Sequence, residues 1–180
     1  MLLSVAPLVV HAKLKPTETH TSLKQLNIGE KVPWFAGWRP NDTVVNRTKF
    51  LSTIRGKGAV IAVFATWCVE CRVGLHALAK NRARLKKAGI EVLLVAYEEA
   101  ATRVQAFLKM HDLAWAEVML DKFGTASTAL GAVRLGDDGR IVVSLPVTVV
   151  VDPAGVMRGI FTREGPDYVD RILTSLGQGT

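Results

Sequence analysis

Short apolar runs bounded by turn residues recur along the chain and predict buried β-strands. A continuous run of four to eight apolar residues is typical of a strand that is covered on both faces. Such strands are predicted at residues 59–64, 90–96 and 147–151, with shorter ones near 118–120 and 156–161. The turn residues at 152–155 make the last strand a hairpin partner of the strand before it.

Amphipathic segments between these strands predict helices. The longest helix is expected at residues 68–87, and others at 101–111, 127–130 and 166–176. Residues 28–35 predict a loop that leads into a short edge strand or hairpin. Helices that alternate with buried strands indicate an α/β fold, with antiparallel pairing late in the chain.

The first residues resemble a targeting segment rather than part of the fold. Residues 1–12 combine an apolar stretch with Val10-His11-Ala12, which resembles a small-residue cleavage site, although a basic start is missing. A stretch this short would span only about 14 Å as a helix, far less than a bilayer needs. We therefore expect an exported, periplasmic protein, with a frayed apolar tail as the alternative. Residues 13–27 form a polar segment, and residues 28–180 are expected to form one domain.

Composition and charge narrow the class of partner. The chain has 180 residues, of which 49% are hydrophobic and 22% charged, and this is a globular composition. The net charge is +7, and the densest basic stretch, residues 80–87, falls where a helix is predicted to end. Cations are favoured at that end of a helix, so we expect a solvated face and no nucleic-acid partner. Peripheral contact with an anionic membrane surface stays open, without a transmembrane span.

The two cysteines carry the clearest chemical signal. Cys68 and Cys71 lie where a buried strand runs into a helix, in the spacing C-x-x-C. A helix N-terminus stabilises a thiolate through its free N–H groups and its dipole, and the thiolate is the form that attacks disulfides. Cys68, preceded by Trp67, is predicted to be the exposed nucleophile. Cys71, one turn into the helix, is predicted to be the more buried resolving cysteine.

Two other uses of the cysteine pair stay open. Two thiolates supply half of a tetrahedral zinc site, or a soft Cu(I) site such as that of a copper-handling chaperone or binding module. No two histidines have the spacing H-x3-5-H that would complete a zinc site. A purely structural disulfide would close a very short loop and add little stability. Redox exchange is therefore the favoured interpretation; it needs no dissociable cofactor, and no metal site is assigned.

The surroundings of these cysteines resemble the TlpA/ResA family, exported thiol–disulfide oxidoreductases of bacteria with a thioredoxin fold. The resemblance covers roughly residues 28–176. It rests on Ile28-Gly29 with Val32-Pro33, on Phe64-Ala65-Thr66-Trp67-Cys68-x-x-Cys71-Arg72, and on Leu145-Pro146-Val147-Thr148 before Val151-Asp152-Pro153-Ala154-Gly155. The family implies a central mixed sheet flanked by helices, and substrates that are protein or peptide thiols and disulfides. It also implies an upstream electron donor, whose identity the sequence does not indicate.

The family further implies a substrate groove beside the redox pair. By resemblance, Pro146 is the cis-proline that packs against the two cysteines, and Leu145 offers backbone hydrogen bonds to a bound peptide. Trp67 would shield the pair. Proline is the one residue that takes a cis bond at low cost, and a free strand edge can pair with an extended substrate.

Three positions depart from the family pattern and affect proton handling. Glu70 replaces the proline that usually precedes the second cysteine, Ala62 replaces a buried carboxylate, and Gly74 replaces a frequent glutamate. Glu70, Glu98 or water would then have to carry protons. We also expect Glu70 to disfavour the neighbouring thiolate and so lower the reduction potential of the pair, which makes it more reducing. Arg72 would offset part of the Glu70 charge.

Residues 134–144 are an insertion ahead of the expected cis-proline. Asp138-Gly139 within them predicts a β-hairpin on the substrate side, and a tolerated surface insertion is the alternative interpretation. The peroxidase branch of the same superfold has a different cysteine setting, with proline and threonine or serine where this chain has Ile61 and Ala65. Peroxidase activity is therefore not expected.

Overall fold

A mixed β-sheet lies at the centre of the fold. The computed structural model describes residues 26–41, 54 and 56–178. The strands are β1 Gly58–Phe64, β2 Ile90–Tyr97, β3 Glu117–Asp121, β4 Val133–Leu135, β5 Ile141–Val143, β6 Val147–Val151 and β7 Met157–Phe161. Five of them form one sheet in the order β3-β2-β1-β6-β7. β1, β2 and β3 run parallel, whereas β6 is antiparallel to β1 and β7 is antiparallel to β6.

Helices cover both faces of this sheet. They are α1 Val69–Lys80, α2 Arg82–Lys87, α3 Ala101–Met110, α4 Thr125–Ala129 and α5 Tyr168–Ser175. Four of them pack with Val60 and Phe64 of β1 on one face, whereas α4 and the N-terminal segment pack with Ile61 and Val63 on the other. β1 is therefore buried along its whole length, as its unbroken apolar run predicts. The predicted α/β fold, a mixed sheet flanked by helices, is confirmed.

The described N-terminal residues, 26–41, contact both edges of the sheet without forming a strand. Lys31 makes an isolated antiparallel bridge to Val156, and Trp38 makes another to Leu120 in β3. The expected edge strand or hairpin at residues 28–35 is therefore wrong. Each sheet edge gains only a few backbone hydrogen bonds from this segment, which are too few to extend into a ladder.

The single helix predicted at residues 68–87 is two helices. α1 ends at Lys80 and α2 begins at Arg82, because Asn81 leaves the helical conformation, with φ −102° and ψ 15°. The Asn81 side-chain amide donates a hydrogen bond to the Ala77 carbonyl oxygen at 2.9 Å, and such bonds compete with the backbone ladder. The other predicted helices are present, with ends that differ by at most about two residues.

A hairpin stands directly before β6. β4 and β5 pair antiparallel in a separate two-stranded sheet, with Leu135 opposite Ile141. Asp138 in the connecting loop accepts a hydrogen bond from the Arg140 N–H at 3.0 Å. The β-hairpin predicted within residues 134–144 is thus confirmed.

The predicted targeting segment is not part of this description. Residues 1–12, and all of the polar segment 13–27 except its last two residues, lie outside the described residues. Their assignments stay predictions. In the described part of the chain, none of the helices has the length and apolar character needed to cross a membrane.

Candidate active site

The cysteine pair lies at the junction between β1 and α1. Cys68 is the N-cap of α1, with an extended backbone at φ −77° and ψ 107°. Cys68 and Cys71 form a disulfide, with an S–S distance of 2.11 Å and Cα atoms 5.4 Å apart. The Cys71 N–H donates to Cys68 Sγ at 3.1 Å. An N–H of the first helical turn thus faces the sulfur that a helix N-terminus would stabilise as a thiolate.

Both cysteines are covered by protein, and their neighbours form the surface around them. Cys68 is 7% exposed and Cys71 is 1% exposed. The expected order of exposure is present, but Cys68 is not the exposed residue predicted from its place at the helix start, because it packs into the larger core cluster. Trp67 is 57% exposed, and Val69 and Val73 of α1 are also exposed. We call these three side chains the apolar rim.

Leu145 and Pro146 lie at the sheet end from which the chain continues to the cysteines. Val147 at the start of β6 is opposite Val63 near the end of β1, so the residues just before β6 lie beside the end of β1. The Leu145–Pro146 peptide bond is cis. Pro146 is buried, and Leu145 is half-buried and packs against the core on both faces of the sheet.

Thr66, two residues before Cys68, is held from two sides. Its N–H and its hydroxyl donate to Glu99 Oε1 at 3.1 and 2.8 Å. Its carbonyl oxygen accepts a hydrogen bond from the Arg72 guanidinium at 3.1 Å. Glu99 is 7% exposed, and its second oxygen, Oε2, has no hydrogen-bond partner among the described residues. A buried carboxylate after β2 and an arginine of α1 therefore fix the loop that carries the first cysteine.

The two acids expected to handle protons have different surroundings. Glu70 is exposed in the first turn of α1, between the two cysteines. Glu98 is also exposed and has a left-handed backbone with φ 47°. Its Oε1 lies 3.4 Å from the position that a Cβ at Gly124 would take, beside the start of α4. Of the two, only Glu70 is therefore on the helix that carries the redox pair.

A third carboxylate, Glu164 in the loop before α5, contacts α1 directly. It accepts a hydrogen bond from the Gly74 N–H. A Cβ added to Gly74 would lie 1.9 Å from the Glu164 carboxyl carbon, so the carboxylate fills the space that any side chain at this position would need. Burial raises the pKa of Glu164 to about 7; the Gly74 N–H opposes this shift, and the negative charge of Glu70 adds to it.

Sequence reasoning missed both Glu99 and Glu164. Each lies in a loop, far along the chain from the residue that it contacts, and neither belongs to a motif. Gly74 is the one signal that could have indicated Glu164. A glycine inside a helix costs roughly 0.5–1 kcal/mol relative to alanine, and its presence often marks the close approach of another group.

The fold and the cysteine pair define a class: a thioredoxin-fold protein with a C-x-x-C disulfide at a helix N-terminus. The chain belongs to the AhpC/TSA family, whose model matches residues 28–160. It is 26% identical to the thiol-disulfide oxidoreductase ResA of Oceanobacillus iheyensis, over 83% of this chain and 71% of that protein. It is 24% identical to ResA of Bacillus thuringiensis, over 75% of this chain and 69% of that protein. The resemblance inferred from the sequence is confirmed.

Solved structures show the same fold. A secreted disulfide oxidoreductase of Mycobacterium tuberculosis aligns with a TM-score of 0.62 at 14% identity, covering 79% of this chain and 96% of that chain. A thiol:disulfide interchange protein of Chlorobium tepidum aligns with a TM-score of 0.62 at 20% identity, covering 84% and 97%. At these identities the likeness establishes the fold alone.

Proposed function

We propose that the protein exchanges disulfides with protein or peptide thiols, as a thiol–disulfide oxidoreductase. The observation that carries this function is the Cys68–Cys71 disulfide at the start of α1, with the Cys71 N–H directed at Cys68 Sγ. The two residues are three apart on a helix, so their side chains can meet within one turn. The relatives named thiol-disulfide oxidoreductase ResA support the same activity.

The reaction uses the two sulfurs in sequence. In the reducing direction the Cys68 thiolate attacks a substrate disulfide, which gives a mixed disulfide and releases one substrate thiolate. The Cys71 thiolate then attacks Cys68 Sγ, closes the internal disulfide and releases the second substrate thiolate. Two electrons pass from the dithiol to the substrate, so no dissociable cofactor takes part. A thiol donor of unidentified source must then reduce the Cys68–Cys71 disulfide.

The substrate would lie across the apolar rim and the loop before β6. The exposed Trp67 offers an apolar contact beside the disulfide. Leu145 and Pro146 lie at the same end of the sheet, and Leu145 can present backbone groups to an extended peptide. The hairpin of β4 and β5 exposes Leu135 and Ile141 just ahead of this loop, which supports a part for it in partner choice.

Two charged residues of α1 would tune the pair. Glu70 lies two residues after Cys68, in the first turn of α1, and is exposed. Its charge therefore disfavours the thiolate only weakly and lowers the reduction potential of the pair slightly. Arg72 bonds to the Thr66 carbonyl oxygen, so its first role is to hold the loop. Replacement of Glu70 by Gln should therefore raise the reduction potential by roughly 10–30 mV.

We further propose that the protein works outside the cytoplasm. The apolar stretch and small-residue site in residues 1–12 support export, and one fold relative is a secreted disulfide oxidoreductase of Mycobacterium tuberculosis. If the full chain is expressed in a bacterium, intact-mass measurement should show that residues 1–12 are removed. A cytosolic product that keeps these residues would contradict export.

A trapping experiment tests the activity and the roles of the cysteines. Cys71→Ser should accumulate covalent mixed disulfides with partner proteins, because the serine cannot resolve them, whereas Cys68→Ser should not. Equal trapping by both variants would contradict the roles. Copper bound after anaerobic purification, without disulfide reduction by the wild type, would favour the binding-module alternative instead.

A further inference from the structure

We propose that Glu164 is the proton-holding residue of the Cys68–Cys71 pair, taking up the proton that Cys71 must lose before the disulfide can close. The inference rests on the proposed thiol–disulfide activity and adds to it a residue from a distant loop. It is carried by the contact between the Glu164 carboxylate and the Gly74 N–H, inside the helix that holds both cysteines.

The position of the carboxylate follows from helix geometry. Cys71 and Gly74 are three residues apart on α1 and both are buried, so they share the inner face of the helix. Side chains at this spacing have Cβ atoms about 5–6 Å apart. The Glu164 carboxyl carbon lies 1.9 Å from the place that a Cβ of residue 74 would take, so it is roughly 4–8 Å from the Cys71 Cβ. This range allows transfer between the carboxylate and the thiol either directly or through one water.

The burial of Cys71 creates the need for such a group. At 1% exposure, its thiol exchanges its proton only slowly with bulk water near neutral pH, and a buried thiol resists ionisation. In the closing step the Glu164 carboxylate takes the Cys71 proton, the Cys71 sulfur attacks Cys68 Sγ, and the substrate leaves as a thiolate. One proton moves to the carboxylate and one S–S bond replaces another, so charge and electrons balance. Reduction of the disulfide returns the proton to Cys71.

The surroundings of Glu164 suit it to this exchange. Burial raises its pKa to about 7, with Glu70 of α1 acting in the same direction. On α5, burial raises the pKa of the Tyr168 hydroxyl, which lies close enough for the Glu164 charge to add to this shift, and the Arg171 guanidinium opposes it. The Tyr168 hydroxyl is also bonded to Thr148 Oγ1 at 2.8 Å. A carboxyl group with a pKa near the working pH is present in both protonation states, which a proton carrier requires.

The closing rate measured against pH tests the proposal. The reduced protein is mixed with 5,5′-dithiobis(2-nitrobenzoate), and stopped-flow absorbance resolves the first thionitrobenzoate released, as Cys68 reacts, from the second, as Cys71 closes the disulfide. From pH 5 to 9, we compare the wild type, Glu164→Gln, Gly74→Ala and the double variant. Asp167→Asn, an exposed acid three residues from Glu164, is the matched control.

The second release should be at least about tenfold slower in Glu164→Gln at pH 6.5, and the difference should vanish toward pH 9, where hydroxide replaces the base. Gly74→Ala keeps the acid but displaces it from α1, so it should slow the same step, and the double variant should be no slower than Glu164→Gln. Asp167→Asn should match the wild type.

Two results would overturn this role. Closure that is unchanged in Glu164→Gln would exclude it, and so would a slowing that is equal at every pH, because a merely structural residue would act in that way. A wild type that never releases the second thionitrobenzoate would instead overturn the proposed activity itself.

Discussion

The loop before Cys68 should lose much of its stability when Glu99 is removed. Glu99 Oε1 accepts two hydrogen bonds from Thr66, and a bond to a charged acceptor contributes about 1.5–3 kcal/mol. Together they give about 3–6 kcal/mol. The unpartnered Oε2 destabilises the folded protein by about 1–3 kcal/mol, the cost of an unsatisfied buried group, so its removal offsets part of this loss. We therefore expect Glu99→Ala to lower the free energy of unfolding by about 2–3 kcal/mol.

Two milder variants test how this energy is divided. Glu99→Gln keeps a carbonyl oxygen for both bonds, so it should cost about 1 kcal/mol, because neutral bonds are weaker. Thr66→Val removes the hydroxyl bond but keeps the N–H bond. It should cost about 1–2 kcal/mol, because the loss of one bond to a charged acceptor is partly offset by the valine methyl group.

Urea unfolding of the oxidised protein, followed by far-UV circular dichroism, measures each free energy. The double variant of Thr66→Val and Glu99→Ala should show a coupling energy of about 1–2 kcal/mol, since both changes remove the same bond. A Glu99→Ala variant within about 0.5 kcal/mol of the wild type, or a coupling energy near zero, would refute this reasoning.

Three further predictions concern Glu164, Gly74 and the hairpin. Because the folded-state pKa of Glu164 is raised to about 7, its contribution to wild-type stability is present below about pH 4.5 and lost as the pH rises through 7. Between pH 4.5 and 8 the free energy of unfolding of the wild type should fall by ~1–2 kcal/mol from this source, after allowance for partial exposure. Urea titrations at the two pH values should show no such fall in Glu164→Gln. Gly74→Ala should stabilise Glu164→Ala by about 0.5–1 kcal/mol but not the wild type, whose carboxylate occupies the space; thermal unfolding measures both. Replacement of residues 134–144 by Gly-Gly should leave the Tm nearly unchanged but alter the set of proteins trapped by Cys71→Ser, and a large fall in Tm would place the hairpin in the core.

The strands could be predicted because their signal is local. Residues 59–64 are an unbroken apolar run, and residues 90–96 are apolar apart from the exposed Glu91. Both runs are bounded by turn residues, and both form strands buried on both faces of the sheet. The hairpin could be predicted from Asp138-Gly139 for the same reason. The helix break at Asn81 was missed, since asparagine is tolerated inside helices and the non-helical φ and ψ of this residue have no sequence signal.

The candidate site also has parts that could be predicted from local sequence and parts that could not. Cys68, Cys71 and their place at a helix start follow from spacing and from the strand that precedes them. The acids around them do not follow, because Glu99 meets Thr66 across 33 positions and Glu164 meets Gly74 across 90. Such contacts depend on how the loops after β2 and before α5 cross the sheet, and no periodic pattern encodes that path.

Glu99 and Glu164 contact the chain around the cysteines in the same way, and this determines which positions between Thr66 and Gly74 can vary. Each accepts a backbone N–H, from Thr66 before the cysteines and from Gly74 after them. A contact to the backbone does not depend on the side chains between these points, and Val69 and Glu70 are exposed there. The residues between the cysteines can therefore change the redox chemistry without loosening the segment. Position 74 cannot vary freely, because any side chain there would displace the carboxylate that we assign to proton transfer.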